Sequence, residues 1–152
     1  MKKYIKPVFI IYCALMLWLL FGQRVGGTDF TDYALKLKSN INLIPFTTVR
    51  LFLKAASKTE GYYWVWQAER NIVGNVVLFV PLGIIPAIYP KIRGFIRFVA
   101  VVSLVICTVE ILQFLSLLGS CDIDDLILNL AGASAGYAIM KLSGIVPSVM
   151  SE

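Results

Sequence analysis

The sequence lacks histidine and has few charged residues and only three cysteines, and each scarcity excludes a class of protein. Without histidine there is no Ser-His-Asp triad, no His-ligated zinc site and no histidine proton switch. Cys13, Cys107 and Cys121 follow no pattern, so they predict neither a disulfide framework nor a CxxC site. Charged residues make up 15% and hydrophobic residues 59%, whereas a soluble domain is about a quarter charged and about half apolar. The composition excludes a soluble globular or disordered chain and predicts a membrane protein.

Positive charge is in excess, with a formal net charge of +5. The basic residues flank apolar segments and form no RNA- or DNA-reading motif, so a nucleic-acid partner is not expected. At 152 residues, the chain is predicted to be a single membrane domain over residues 1–152.

Four apolar segments approach the ~20 residues that cross a ~30 Å hydrocarbon core. They cover residues 7–22, 72–89, 95–118 and 123–142. None alternates between polar and apolar positions, so helices are predicted and a β-barrel is not. The predicted fold is all-α: an integral membrane bundle of four transmembrane helices, with a short amphipathic helix in the outer loop.

The basic start and the apolar run that follows it also resemble a signal peptide. Residues 21–24 (FGQR) provide no small-residue cleavage site, and Cys13 follows the bulky Tyr12, which makes a poor lipobox. We therefore expect an uncleaved anchor.

The flanking charges predict the orientation. Basic residues precede the first span and lie between spans two and three: Lys2, Lys3, Lys6, Lys91, Arg93 and Arg97. Both termini are then cytoplasmic under the positive-inside rule, and residues 23–71 and the turn 119–122 are outside. An aromatic belt is predicted near the outer boundary, formed by Trp18, Tyr62, Tyr63, Trp64 and Trp66.

The outer loop contains a predicted amphipathic helix, capped by Thr47 or Thr48 and ending near Ser57. Arg50, Lys54 and Lys58 recur every four residues and share one face. An apolar stripe lies beside them, formed by Val49, Phe52, Leu53 and Ala56. The helix either lies against anionic headgroups as an interfacial helix or is solvated in the loop, and the sequence leaves both interpretations open.

Polar residues inside the spans point to function, because an ionisable group at the bilayer centre costs roughly 2.5–3.5 kcal/mol on insertion scales. They form three groups, each on one helix face: Arg70, Asn71 and Asn75; Glu110 and Gln113; Asp122, Asp125 and Asn129. Asp124 points elsewhere. Asn75, Asn129 and Glu110 lie roughly 5, 9 and 12 Å below the outer ends of their spans. The spacing predicts a polar cleft that opens outward.

Each of these polar residues also has a structural interpretation. Asp122 is a candidate N-cap of span four, with Asp125 favoured in the first turn. Asn75, Gln113 and Asn129 are suited to interhelical hydrogen bonds. Glu110 is either protonated by desolvation or paired with Arg70.

Small and kinking residues shape the predicted helices. Gly132 and Gly136 form a small-xxx-small pattern that favours close packing, within the bundle or in a homo-oligomer. Pro81, Gly83 and Pro86 interrupt span two, and Pro81 predicts a kink because it has no N–H to donate.

Four segments, in order along the chain, resemble the VanZ-like family of membrane proteins. They are residues 42–46 (NLIPF), 71–83 (NIVGNVVLFVPLG), 110–113 (EILQ) and 122–132 (DIDDLILNLAG), so the closest match covers residues 42–137. Many members carry an arginine shortly before the Asp-x-x-Asp block, whereas residues 118–121 here are LGSC. A role that needs this arginine would fall to Arg70. The candidate ligand-binding cleft then comprises Asn42, Arg70, Asn71, Asn75, Glu110, Gln113, Asp122, Asp125 and Asn129.

The resemblance implies a multi-pass protein of the bacterial cytoplasmic membrane that reduces susceptibility to teicoplanin-like lipoglycopeptides. One hypothesis is a non-enzymatic factor whose cleft binds a membrane lipid, a cell-wall precursor or the antibiotic. A second is an intramembrane enzyme acting on a polyprenyl- or phospholipid-linked substrate. In that case Glu110, Asp122 and Asp125 would hold Mg²⁺ or act as acid and base. No cofactor is predicted, although Mg²⁺ is not excluded, and Cys121 beside acids is a poor nucleophile. A transporter is disfavoured because four spans show no inverted repeat.

Overall fold

A computed structural model describes residues 2–22, 30–56 and 72–145 of the chain, and helices dominate all three segments. The first segment is helix α1, Lys2–Leu17, which continues as a π-helical turn, Trp18–Gly22. The second contains α2, Tyr33–Ser39, the short strand β1, Ile41–Asn42, and α3, Thr47–Ala56.

The third segment contains the rest of the bundle. Helix α4 covers residues 72–79 and passes into a 3₁₀ turn, Val80–Ile84, and the short helix α5, Ile85–Ile88. A second 3₁₀ turn, Pro90–Ile92, leads to α6, Phe95–Leu115. Strand β2, Cys121–Asp122, is followed directly by α7, Ile123–Leu142.

Two helices of the described residues are long and apolar enough to cross a membrane, Tyr4–Gly22 and Phe95–Leu115. The first and third predicted segments are therefore helical to within a few residues of their predicted bounds, and both are candidate membrane-crossing helices. The fourth predicted segment is helical as α7, but Asp124, Asp125 and Asn129 near its start lower its apolar character. The second is a shorter apolar helix, Ile72–Ile88. The structure therefore confirms a mainly helical fold with two candidate membrane-crossing helices.

The predicted interruption of the second segment is observed: the α-helix ends at Phe79, and the 3₁₀ turn Val80–Ile84 that follows contains Pro81. We call residues 72–88 the kinked segment. Pro81 has no N–H, so a carbonyl near the end of α4 loses its usual intrahelical partner. The Tyr12 hydroxyl of α1 donates to the carbonyl oxygen of Leu78 at 2.6 Å. Helix α1 thus packs where the broken helix needs a donor.

The core lies between α6, α7 and the kinked segment. Phe98 of α6 and Tyr137 of α7 stack with ring centroids 4.9 Å apart. The Tyr137 hydroxyl donates to the Arg93 carbonyl oxygen at 2.8 Å. Because the end of α7 meets the start of α6, the two helices are antiparallel.

Gly132 and Gly136 allow α7 to approach the backbone of the kinked segment. A Cβ at Gly132 would lie 2.1 Å from the Val76 oxygen, and one at Gly136 would lie 1.8 Å from the Val80 oxygen. Gly83 meets the backbone of Gly136 in the same way. The glycine pattern therefore packs within the bundle, and a homo-oligomer through the same face would have to displace α4.

Two short strands tie the second segment to the start of α7. Strands β1 and β2 pair in parallel, with Ile41 opposite Cys121 and Asn42 opposite Asp122. The N–H of Cys121 donates to the Asn40 carbonyl oxygen at 2.8 Å. Neither this contact nor helix α2 is predicted from the sequence, because both depend on residues about 80 positions away in the chain.

The bundle has two electrically different ends. Asp122, Asp124 and Asp125 lie at the start of α7, and this is the acidic end. The starts of α1 and α6 and the end of α7 meet at the basic end, where every charged side chain described is basic: Lys6, Lys91, Arg93, Arg97 and Lys141.

Gly136→Ala should lower the apparent melting temperature of the purified protein, because its methyl group meets the Val80 backbone. Overpacking of this kind costs roughly 1–3 kcal/mol. Gly74→Ala is the matched control: no atom of the described residues lies within 4 Å of a Cβ there, and alanine is favoured over glycine in helices by roughly 0.5–1 kcal/mol. Equal melting temperatures for the two variants in detergent would contradict this packing.

Candidate functional site

Asp124 holds the start of α3. Its Oδ1 accepts the N–H of Phe46 at 2.5 Å, and its Oδ2 accepts the N–H of Thr48 at 2.8 Å. The first N–H groups of a helix have no intrahelical partner, so a carboxylate there satisfies two donors and complements the helix dipole. Phe46 has φ 63°, in the left-handed region that a side chain rarely adopts. Asp124 therefore stabilises a strained turn.

Asp122 completes the same arrangement and confirms the capping interpretation. Its Oδ1 accepts the N–H of Asp124 at 2.8 Å as the N-cap of α7. Its Oδ2 accepts from Asn42 Nδ2 at 3.1 Å and from Thr48 Oγ1 at 3.0 Å. We call Asn42, Thr48, Asp122 and Asp124 the acidic clamp. It fastens the NLIPF turn to the start of α7.

Helical spacing groups Asp122 with Asp125 and Asn129, whereas the structure groups Asp122 with Asp124, because both bind Thr48. Spacing also does not predict the role of Asp124. The side chain is only 1% exposed, the least of the buried polar residues described. The signal that could have revealed it is the joint presence of the NLIPF and DIDD segments, whose residues bind each other here. The partner of Asp124 is the backbone of another segment, which spacing within a helix cannot show.

A second group of polar residues lies deeper between the helices. Asn75 Nδ2 of α4 donates to Asp125 Oδ1 of α7 at 2.6 Å. Glu110 lies 12 residues after Phe98 and Asp125 lies 12 residues before Tyr137, so both are about 18 Å along their helices from the stacked rings. Glu110 is buried at that level. We call Asn75, Glu110, Asp125 and Asn129 the polar cluster.

Asn129 is the member of the polar cluster whose hydrogen-bond acceptor has no donor within the described residues. It lies one helical turn beyond Asp125 and is 3% exposed. Its Oδ1 is buried and has no hydrogen-bond partner within the described residues. A buried acceptor left without a donor costs about 1–3 kcal/mol. A donor supplied by a ligand would remove that cost.

Gln113, on the same face of α6 as Glu110, has a structural contact. Its Nε2 donates to the Leu20 carbonyl oxygen at 3.0 Å, in the π-helical turn that ends α1. The last carbonyls of a helix lack intrahelical partners. Gln113 therefore joins α1 to α6, and it lies on the acidic-end side of Glu110.

The described residues of the predicted cleft, apart from Gln113, thus separate into two groups. Asn42 and Asp122 belong to the acidic clamp, whereas Asn75, Glu110, Asp125 and Asn129 form the polar cluster. Several predicted positions lie outside the described residues: Ser57, Lys58, Tyr62, Tyr63, Trp64, Trp66, Arg70 and Asn71. Of the predicted basic face, Arg50 and Lys54 are exposed on α3. Val49 is half-buried, and the side chains of Phe52, Leu53 and Ala56 are not described.

Among the described residues, no group of three or more His, Cys, Asp or Glu side chains is arranged to hold a metal ion. Both oxygens of Asp122 already accept hydrogen bonds from the clamp. Cys121 is half-buried. Burial, and then the charges of Glu110 and Asp122, raise the pKa of the Cys121 thiol. These contacts disfavour a Mg²⁺ triad and a cysteine nucleophile.

Asp124→Asn should release the start of α3, because the amide nitrogen faces a backbone N–H and cannot accept from it. We expect a loss of roughly 1–3 kcal/mol in unfolding free energy. Amide exchange in residues 44–51 should also be faster. The matched control is Asp32→Asn, since Asp32 precedes α2 without a side-chain capping bond. Unchanged exchange in Asp124→Asn would contradict the clamp.

Comparison with known proteins gives a consistent assignment. The family model described as VanZ/LLP1 matches residues 9–144, which include both groups of polar residues. Protein VanZ of Enterococcus faecium is 28% identical over 148 residues, covering 97% of this chain and 78% of that protein. No solved structure matches the chain. The chain therefore belongs to the VanZ/LLP1 family.

Proposed function

We propose that this protein reduces susceptibility to teicoplanin-type lipoglycopeptides by binding a lipid, cell-wall precursor or antibiotic group in an outward-facing cleft at the polar cluster. The observation that carries the proposal is the buried Oδ1 of Asn129, which has no partner in the described residues. Family membership and the similarity to Protein VanZ support a resistance function.

The chemistry of the cluster favours a ligand that donates hydrogen bonds. Asn129 Oδ1 is an acceptor, and the carboxylates of Glu110 and Asp125 are acceptors when ionised. Hydroxyl, amide and ammonium groups are donors, and sugars, peptides and lipid headgroups carry them. A membrane-embedded polar group faces a bundle interior or a water-filled cavity, so this ligand would enter from the acidic end.

The proposed topology has four helices crossing the bacterial cytoplasmic membrane, with both termini cytoplasmic and the acidic end outside. The exclusively basic charges at the opposite end, within the described residues, support this orientation. Large apolar side chains are exposed along α1 and α6, among them Val8, Ile10, Ile11, Ile96 and Leu104. Hydrocarbon would cover them.

The placement of α3 supports an interfacial helix more than a solvated one. Leu43, Ile44, Phe46 and Leu51 are exposed beside the basic residues of α3. Exposed apolar side chains next to cations fit the boundary between headgroups and acyl chains. In this proposal α3 lies on the outer leaflet, and the acidic clamp holds it over the cluster.

The topology predicts that a membrane-impermeant maleimide labels Cys121 in intact cells but does not label Lys91→Cys at the basic end. Cys13→Ser and Cys107→Ser would remove the other thiols, and the Lys91→Cys protein would also carry Cys121→Ser. Because the pKa of Cys121 is raised, its thiolate fraction in the folded state is below that of an ordinary thiol. Labelling should therefore be slow at neutral pH and accelerate as the pH rises. Labelling of Lys91→Cys without labelling of Cys121 would indicate the inverted topology.

Deletion and overexpression should change teicoplanin susceptibility more than vancomycin susceptibility, because teicoplanin carries an acyl chain and concentrates at the membrane surface. Asn129→Leu and Glu110→Gln should both reach the membrane at normal abundance and behave like the deletion. Losing one ligand hydrogen bond of about 1–3 kcal/mol weakens affinity roughly 5- to 150-fold.

The control variant is Thr108→Val, since the Thr108 hydroxyl is exposed and bonds only to its own helix in the contacts described. It should retain full activity. Full teicoplanin protection by both Asn129→Leu and Glu110→Gln would rule out binding at the cluster. Equal shifts for both antibiotics would indicate a general effect on the envelope.

A further inference from the structure

An apolar cavity of about 610 Å³ lies at the basic end, far from the polar cluster. Its walls come from the first half of α1, the kinked segment with α5, and the end of α7. The apolar lining includes Ile5, Phe9, Ile84, Ala87 and Met140, and Tyr4, Tyr12 and Ser143 also line the cavity. Its volume falls in the range of about 300–1,000 Å³ that is usual for ligand pockets.

The position of the cavity favours an occupant from the lipid phase. One wall is α1, part of the candidate membrane-crossing helix Tyr4–Gly22. The lining residue Val8 and the nearby Ile10 and Ile11 are exposed, so in the proposed topology hydrocarbon would reach the opening from the side. A flexible acyl chain fits such a lining, whereas a polar solute would leave its hydrogen bonds unmet.

The charges around the cavity favour an anionic headgroup. Lys6 directly follows the lining residue Ile5, and Lys141 directly follows Met140. The Lys141 ammonium lies 6.0 Å from the Tyr137 ring, whose hydroxyl binds the Arg93 carbonyl. Arg93 Nε is buried without a hydrogen-bond partner in the described chain. No acidic side chain is described at this end.

We propose that the cavity binds an anionic phospholipid of the leaflet at the basic end, with an acyl chain among Phe9, Ile84 and Met140 and the phosphate near Lys6 and Lys141. Basic pockets between membrane helices bind anionic headgroups in this way on the cytoplasmic side. The bound lipid would hold α1 against the kinked segment, beside the Tyr12–Leu78 hydrogen bond. This site is separate from the polar cluster and does not depend on the resistance function.

The experiment uses the full chain, delipidated in a mild non-ionic detergent and supplied with phosphatidylglycerol or phosphatidylcholine. Native mass spectrometry counts the retained lipids, and thermal unfolding gives the stabilisation. We expect phosphatidylglycerol to be retained as a discrete bound molecule and to stabilise the protein more than phosphatidylcholine. Equal retention and equal stabilisation by the two lipids would overturn the proposal.

Two pairs of variants locate the site. Ala87→Trp fills the cavity and should abolish retention, whereas Ala100→Trp adds the same bulk on the exposed face of α6 and should not. Neutralising Lys6 and Lys141 to Gln should weaken phosphatidylglycerol binding about fivefold for each lysine, with phosphatidylcholine unchanged. The matched charge control is Lys38→Gln on α2 at the acidic end, compared with Lys6→Gln and Lys141→Gln as single variants.

Each result decides for or against the site. If Ala87→Trp does not fold, the variant with Lys6 and Lys141 neutralised provides the test. Both side chains are exposed, so their neutralisation leaves the core packing in place. The proposal is overturned if the variant with both lysines neutralised retains as much phosphatidylglycerol as the native protein. An equal loss in the charge control would also overturn it and would indicate that lipid binds the surface as a whole.

Discussion

The fold depends on one constraint: in apolar surroundings, every backbone group at the end or break of a helix needs a partner, since water is not there to supply one. The acidic clamp shows this constraint most clearly, because Asp124 accepts two N–H groups at the strained start of α3. The Tyr12 hydroxyl donates to a carbonyl oxygen where α4 is broken. The Gln113 amide donates to one in the turn that ends α1, and the Tyr33 hydroxyl to one at the end of α6. Each of these side chains joins two elements that are distant in sequence. The same hydrogen bonds that satisfy the helix ends therefore define the tertiary arrangement.

This constraint also separates structural polar residues from those available for function. The carboxylates of Asp122 and Asp124 are occupied by donors, and their removal would expose backbone groups. Asp125 binds a neighbouring helix through Asn75, one turn from Asn129, whose carbonyl oxygen has no donor among the described residues. In the proposed function, a bound ligand supplies the donor that this oxygen lacks. The clamp would then hold the membrane-surface helix α3 beside the entrance.

The contrast between the two ends suits a protein that meets different chemistry on each side. The acidic end combines carboxylates with exposed apolar and basic residues of α3, whereas the basic end has an apolar cavity beside lysines. Glycine packing between α7 and the kinked segment links the two ends. In the proposed orientation, one end would face the cell wall and the other the anionic inner leaflet.

The sequence alone determined the helical character, the two long apolar helices, the kink at Pro81 and the bounds of α7, because these depend on local composition and on the missing N–H of proline. It also indicated Asp122 as a candidate N-cap of α7, which the structure confirms, since capping is a contact between near neighbours. Only the tertiary structure decided that Asp124 binds the turn before α3, that Gln113 binds α1 and that Asn129 Oδ1 has no donor among the described residues. These outcomes depend on which backbone groups of distant segments meet, and helical spacing carries information about one helix face only. The β1–β2 pairing likewise required residues about 80 positions apart to meet, which no local pattern encodes.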